Sequence, residues 1–152
     1  MKEVKGNKDW QDLAPLLTDP KGDSKDKLDI KALYGFTDDK FLYLMVEFYE
    51  VADFWDMIIS LDFNRDNQPE YRSGFSQDRT FDAVSLWDLK RGEVIPNQRR
   101  GLCHIGEVTE MRIPLCFIRN ENEFGVQIGF NGQRDGQFFT IDLTDWAYVL
   151  KK

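Results

Sequence analysis

The sequence predicts an all-β domain: a two-sheet antiparallel β-sandwich of jelly-roll type, with about nine or ten strands. Three observations point there. Apolar residues alternate with a period of two in several short segments, Gly, Asn, Asp and Pro cluster between those segments, and no helical stripe of useful length interrupts them. In "KFLYLMVEFY" (Lys40–Tyr49), Leu42, Leu44, Val46 and Phe48 share one face, and Phe41, Tyr43, Met45 and Glu47 share the other. The same pattern predicts strands in Trp55–Phe63, Phe81–Leu89, Glu107–Leu115, Phe124–Phe130 and Phe138–Leu143, and Asp29 opens a further one. "NRDNQPEYRSG" and "NGQRDGQ" are read as turns, and "DLAPLL" and "CFIRN" as the two best candidates for a helical turn. Several strands carry apolar residues on both faces, which suits either central strands or strands with a ligand-binding face.

The chain has 152 residues, enough for one domain with a proper core over 1–152. Its 41% hydrophobic and 31% charged residues are those of a soluble globular protein. No apolar run is long enough for a membrane span, and "MKEVKGNKDW" lacks the apolar core of a secretory leader. The expectation is a cytoplasmic protein or a domain of a longer secreted one. A net charge of −7 argues against nucleic acid as a partner. Eight acids between Asp38 and Asp66 face only Lys40 and Arg65 there, which suits a cation or sugar site, or simply a solvated face. Cys103 and Cys116 are too few for a disulfide framework and are read as buried thiols, the alternative being a bridge between them in an oxidising compartment. The sole histidine, His104, is read as a strand residue.

Three groups of residues have the chemistry for a site. Asp19, Asp23 and Asp29 surround the turn "DPKGD", where Pro20 fixes the chain and Gly22 allows tight curvature. Such oxygen-rich turns hold calcium, which takes six to eight oxygens, or close on themselves through Asx bonds. Asp62, Asn64 and Asp66 alternate like the start of an EF-hand loop. Asn67 and Ser73 stand where that loop needs Gly and Glu, so Asx turns are the better reading. The aromatic residues give a third group. Trp55 and Trp87 are expected to wall a carbohydrate-binding cleft with Tyr71 and Phe75 from a long turn, hydrogen-bonding through Asp56, Gln77, Arg79, Asn97 and Gln98. The alternative is that these rings fill the core. Trp10 and Trp146 are read as packing residues.

The order of motifs "DW" (Asp9, Trp10), "TDPKGD", "LDIKALYGFTDDKFLYLMVEF", "ISLDFNRDNQPEYRSG" and "GEVTEMRIPL" resembles the β-sandwich superfamily of family-nine carbohydrate-binding modules and DOMON-like domains. It also resembles the calcium-binding C-terminal module of glucodextranases. "SKDKL" departs from that module's pattern after "DPKGD" and weakens the carry-over of its ligands at Asp23 and beyond. The resemblance covers roughly residues 9 to 146 and implies the sandwich, structural Ca2+ at Asp19, Asp23 and Asp29, and sugar binding or an accessory role. Haem ligation by His104 with Met45, Met57 or Met111, known in the DOMON group, has no support in the spacing. No nucleophile elbow, phosphate loop or metalloprotease motif occurs. The expectation is a non-catalytic polysaccharide- or oligosaccharide-binding module of a larger extracellular or cell-surface protein, itself monomeric. The rivals are a structural or protein-interaction sandwich and a small carboxylate-dependent hydrolase or lyase.

Overall fold

The computed structural model describes residues 10, 12–76, 85–95, 102–105, 108–114 and 123–150, with backbone alone at 75, 76, 85 and 102–105. In chain order the strands are β1 (Leu17–Thr18), β2 (Asp29–Thr37), β3 (Phe41–Glu50), β4 (Asp56–Asp62), β5 (Tyr71–Ser76) and β6 (Ser85–Asp88). They continue as β7 (Glu93–Ile95), β8 (Leu102–Ile105), β9 (Val108–Pro114), β10 (Glu123–Arg134), β11 (Gln137–Leu143) and β12 (Ala147–Leu150). One antiparallel sheet has the order β1-β2-β3-β9-β8. The other runs β11-β10-β4-β5-β6-β7, and β12 pairs with the first part of β10. No helix occurs among the described residues.

The two sheets bury one shared core. Leu33, Leu42, Leu44, Val46, Met111 and Ile113 from the five-stranded sheet meet Met57, Ile59, Leu61, Phe124, Val126, Ile128 and Phe130 from the other. Phe48 and Phe130 touch edge to face across the gap, with centroids 5.3 Å apart. These are the positions that period-two alternation selects on β3, β4 and β10, so the expected sandwich is present.

The outer face of β3 is also covered. Tyr43 and Met45 are buried there beneath Trp10, whose ring meets Phe36 at 5.0 Å. The indole Nε1 donates to the Glu110 carboxylate at 2.7 Å, which fixes Trp10 against the sheet as a packing residue. Trp146 also packs, half-buried, against the bare backbone of Gly125.

The structure differs from the sequence expectation in three places. "DLAPLL" is no helix: Leu16 N–H donates to Leu33 C=O at 2.7 Å as the chain enters β1. Pro15 lacks the N–H that a helix would need, and β2 offers the better partner. The supposed long turn around Tyr71 and Phe75 is strand β5, paired with β4 and β6. Short strands β1, β7, β8 and β12 raise the total to twelve among the described residues. "CFIRN", Cys116 and the first part of "FDAVSLWDL" lie outside the described residues.

Candidate metal centre and binding face

The loop from Asp19 to Leu28 leaves β1 and returns as β2. Gly22 takes φ 85°, a conformation that side-chain-bearing residues seldom adopt, and its N–H donates to Asp29 Oδ2 at 2.8 Å. Asp19 N–H donates to Lys31 C=O at 2.8 Å. Lys25 N–H reaches across to Ile141 C=O, also at 2.8 Å, so the loop touches the edge strand of the opposite sheet.

That crossing gathers the carboxylates. One oxygen each from Asp19, Asp23 and Asp142 lies within 4.8 Å of the others. Asp29 stands beside them, and its charge acts on both Asp19 and Asp142. Asp19, Asp29 and Asp142 are 8%, 6% and 5% exposed, and Asp23 faces solvent. Asp19 Oδ2 and Asp29 Oδ1 are buried without any hydrogen-bond partner. Buried carboxylate oxygens normally have a hydrogen-bond donor or an ion as partner. Burial, then the charges of Asp142, Asp23, Asp145 and Asp29, push the Asp19 carboxyl up to about 7. Burial also lifts Asp142 above the usual carboxylate range. The Ile30 amide pulls against that rise, and the charges of Asp23 and Asp29 reinforce it. An all-oxygen set of this kind fits a hard cation.

The sequence therefore identified Asp19, Asp23 and Asp29 as a neighbourhood but missed Asp142. Regular alternation through "FFTIDL" puts Asp142 with Phe138 and Thr140, on the side away from the core. The register instead pairs Phe130 with Asp142 and Asn131 with Thr140, which leaves Ile141 as an extra residue in a bulge. Asp142 thereby shares the inward side of Phe130. No pattern of residue types announces that turn of the chain.

The second acidic group, Asp62, Asp66 and Glu70, has its carboxylates engaged. Asp62 accepts the amides of Asn64, Arg65 and Asn67, Asp66 accepts Gln68 N–H, and Glu70 accepts Phe63 N–H. Arg65 pairs with Glu123 and lies over the Tyr148 ring. Donors already present account for the loop, as Asx turns predict. Asp38 is used alike, accepting Lys40 N–H, Phe41 N–H and Tyr43 O–H.

The expected sugar site is dispersed. Tyr71 is in the core, 9% exposed, with its ring edge-on to Phe63, so it cannot serve as an exposed platform. Trp87 is 46% exposed on the outer face of the seven-stranded sheet, in one cross-strand row with Arg72 and Val94. Trp55, 44% exposed, meets Phe138 at 5.9 Å at the β10–β11 end. Arg72 pairs with Ser60, five positions beyond Trp55. With about 3.3 Å per residue and about 4.8 Å per strand, the two tryptophans stand roughly 20 Å apart. They do not wall one cleft. Most of that distance runs along the strands, because Trp87 lies level with Ser60 and not with the Trp55 end of β4; β5 adds one further strand between β4 and β6. Asp56 sits next to Trp55, opposite Ser76 and Asn131, with Oδ1 buried and unpartnered. Phe138, 61% exposed, is the ring that sequence inspection passed over. Gln77, Arg79, Asn97 and Gln98, and the side chains of Phe75, His104 and Cys103, lie outside what is described. Met57 and Met111 are fully buried in the core.

The chain matches no protein-family model, no curated protein and no solved structure.

Proposed function

We propose that this domain is a non-catalytic carbohydrate-binding or accessory module of a larger extracellular or cell-surface protein, with calcium fastening its N-terminal loop. The single observation that carries the calcium is the orphaned, buried carboxylate oxygen of Asp19 in the group that this residue forms with Asp23 and Asp142. A divalent ion supplies the partner that the Asp19 oxygen lacks and offsets the clustered negative charge, to which Asp29 adds.

The exposed rings on the seven-stranded sheet support sugar binding. Trp87, and separately Trp55 with Phe138, offer flat apolar surfaces, and Arg72 and Asp56 are near enough to take hydroxyl groups. With about 20 Å between them, each platform would contact a different part of an extended polysaccharide. The likeness to family-nine carbohydrate-binding modules supports the same function. A second reading is a protein-interaction sandwich, favoured by Val94 and Leu89, apolar and exposed, on the segment that carries Trp87.

Affinity electrophoresis through soluble glycans, comparing the native chain with Trp87→Ala and Trp55→Ala, separates the two. Retardation lost in either variant, with melting unchanged, supports sugar binding. Native migration in every glycan of a broad set refutes it and leaves the protein-interaction role.

A further inference from the structure

The calcium proposed above has a natural ligand in Asp142, and that ligand comes from the opposite sheet. Its Oδ2 accepts Ile30 N–H at 2.8 Å, and its Oδ1 accepts Leu143 N–H at 3.0 Å. Each oxygen keeps a further lone pair for a cation. The carboxylate is 5% exposed and faces Asp19 and Asp23 only because the β11 bulge turns it inward. Asp19 Oδ2, belonging to a residue 8% exposed, has no partner at this spot. Lys25 N–H, bonded to Ile141 C=O, already holds the loop to β11 one residue away.

We propose that Asp142 is a ligand of the cation held by Asp19 and Asp23, so that one ion joins the leading loop of the five-stranded sheet to the bulged edge strand of the seven-stranded sheet. The inference rests on the metal reading given under Proposed function. It adds a residue and a mechanical role. The ion is a clamp between layers, and the bulge presents its outer jaw. Withdrawal of the ion leaves several carboxylates facing one another at the seam. The loop 19–28 and the strand β11 then part locally, while the core shared by β3, β4 and β10 stays closed, because its contacts are apolar and lie inward of the site.

The test uses the full chain with calcium chloride as the probe. Isothermal titration compares the native protein, Asp142→Asn and Asp26→Asn. Asp26 is an exposed acid of the same loop that sits outside the cluster and pairs with Arg134, so it controls for the loss of one charge. Asp142→Asn is expected to weaken calcium by at least about tenfold, and Asp26→Asn by no more than about twofold. Hydrogen exchange on the native protein needs no variant. Calcium is expected to slow exchange in residues 19–29 and in 137–143 together, with little change in β3 or β4. Protection of 19–29 alone, or native affinity in Asp142→Asn, overturns the assignment of Asp142 and leaves the metal reading standing. Failure of the native chain to bind calcium overturns both.

Discussion

Replacing Asp19 by Asn should stabilise the protein in chelator and handicap it in calcium. Without an ion, the folded chain must ionise Asp19 among like charges, which moves its pKa from 3.8 to about 7. At about 1.36 kcal/mol per pH unit, that rise corresponds to about 4 kcal/mol at pH 8. Water around the exposed Asp23 screens part of the repulsion and the loop can relax, so about half, ~2 kcal/mol, is the expected effect. The sign follows from proton uptake. Because the pKa is raised on folding, the folded chain holds the extra proton between the unfolded and folded values. Stability is therefore full at and below about pH 4 and falls as pH climbs through about 7. Asn carries no such charge, so in chelator at pH 8 its melting midpoint should exceed the native one by about 4–8 °C for a domain of this size. At pH 5 the gap should shrink. Calcium at 100 times its dissociation constant adds about 2.7 kcal/mol to the native chain, and the Asn variant loses most of that gain, so the order of the two midpoints closes or inverts. Fluorimetric melts at pH 5 and pH 8, each with calcium and with chelator, give the answer. A variant less stable than native in chelator at pH 8 refutes the account of the cluster.

Asp62→Ala should behave differently: it removes the acceptor of three loop amides, cost about 2–3 kcal/mol, and lower the midpoint equally with and without calcium. Gly132→Ala places a methyl group 2.6 Å from the Phe139 ring, so denaturant melts should show a loss of about 1–3 kcal/mol. Phe130→Ala, which empties the centre of the core against Phe48 and Phe54, should cost about 3–5 kcal/mol in the same assay. Trp10→Phe keeps the ring but deletes the N–H that meets buried Glu110. It should cost about 1–3 kcal/mol, and a Trp10→Phe midpoint equal to native would show that this hydrogen bond adds nothing.

Alternation made the framework legible in the sequence. β3, β4 and β10 each carry apolar residues at every second position, and those residues form the inner face of the sandwich; on β3 the other face is buried as well, under Trp10. Strand β5 was hidden because "YRSGFS" sits among Gln, Pro, Glu, Ser and Gly, the residues of turns, and only its pairing with β4 and β6 keeps it extended. The first part of the candidate site was readable because Asp19 and Asp23, with Asp29 nearby, are close in the chain and surround a Pro-Gly turn. Asp142 was not, because it lies 112 positions after Ile30, whose amide it accepts, and because a bulge reverses its side. The tryptophan cleft was not readable because strand register is set by pairing: Trp87 lies level with Ser60, five residues along β4 from Trp55, and two strands away.

The indole of Trp10 has a bearing on how the domain can be joined to other chains. It seals Phe36, Tyr43 and Met45, a greasy patch that no strand overlies among the described residues. A shortened version starting after residue 10 would bare those side chains to solvent, and copies of it would tend to stick to one another through them. Any fusion ahead of Trp10 must therefore leave the indole in its seat against Phe36, Tyr43 and Met45.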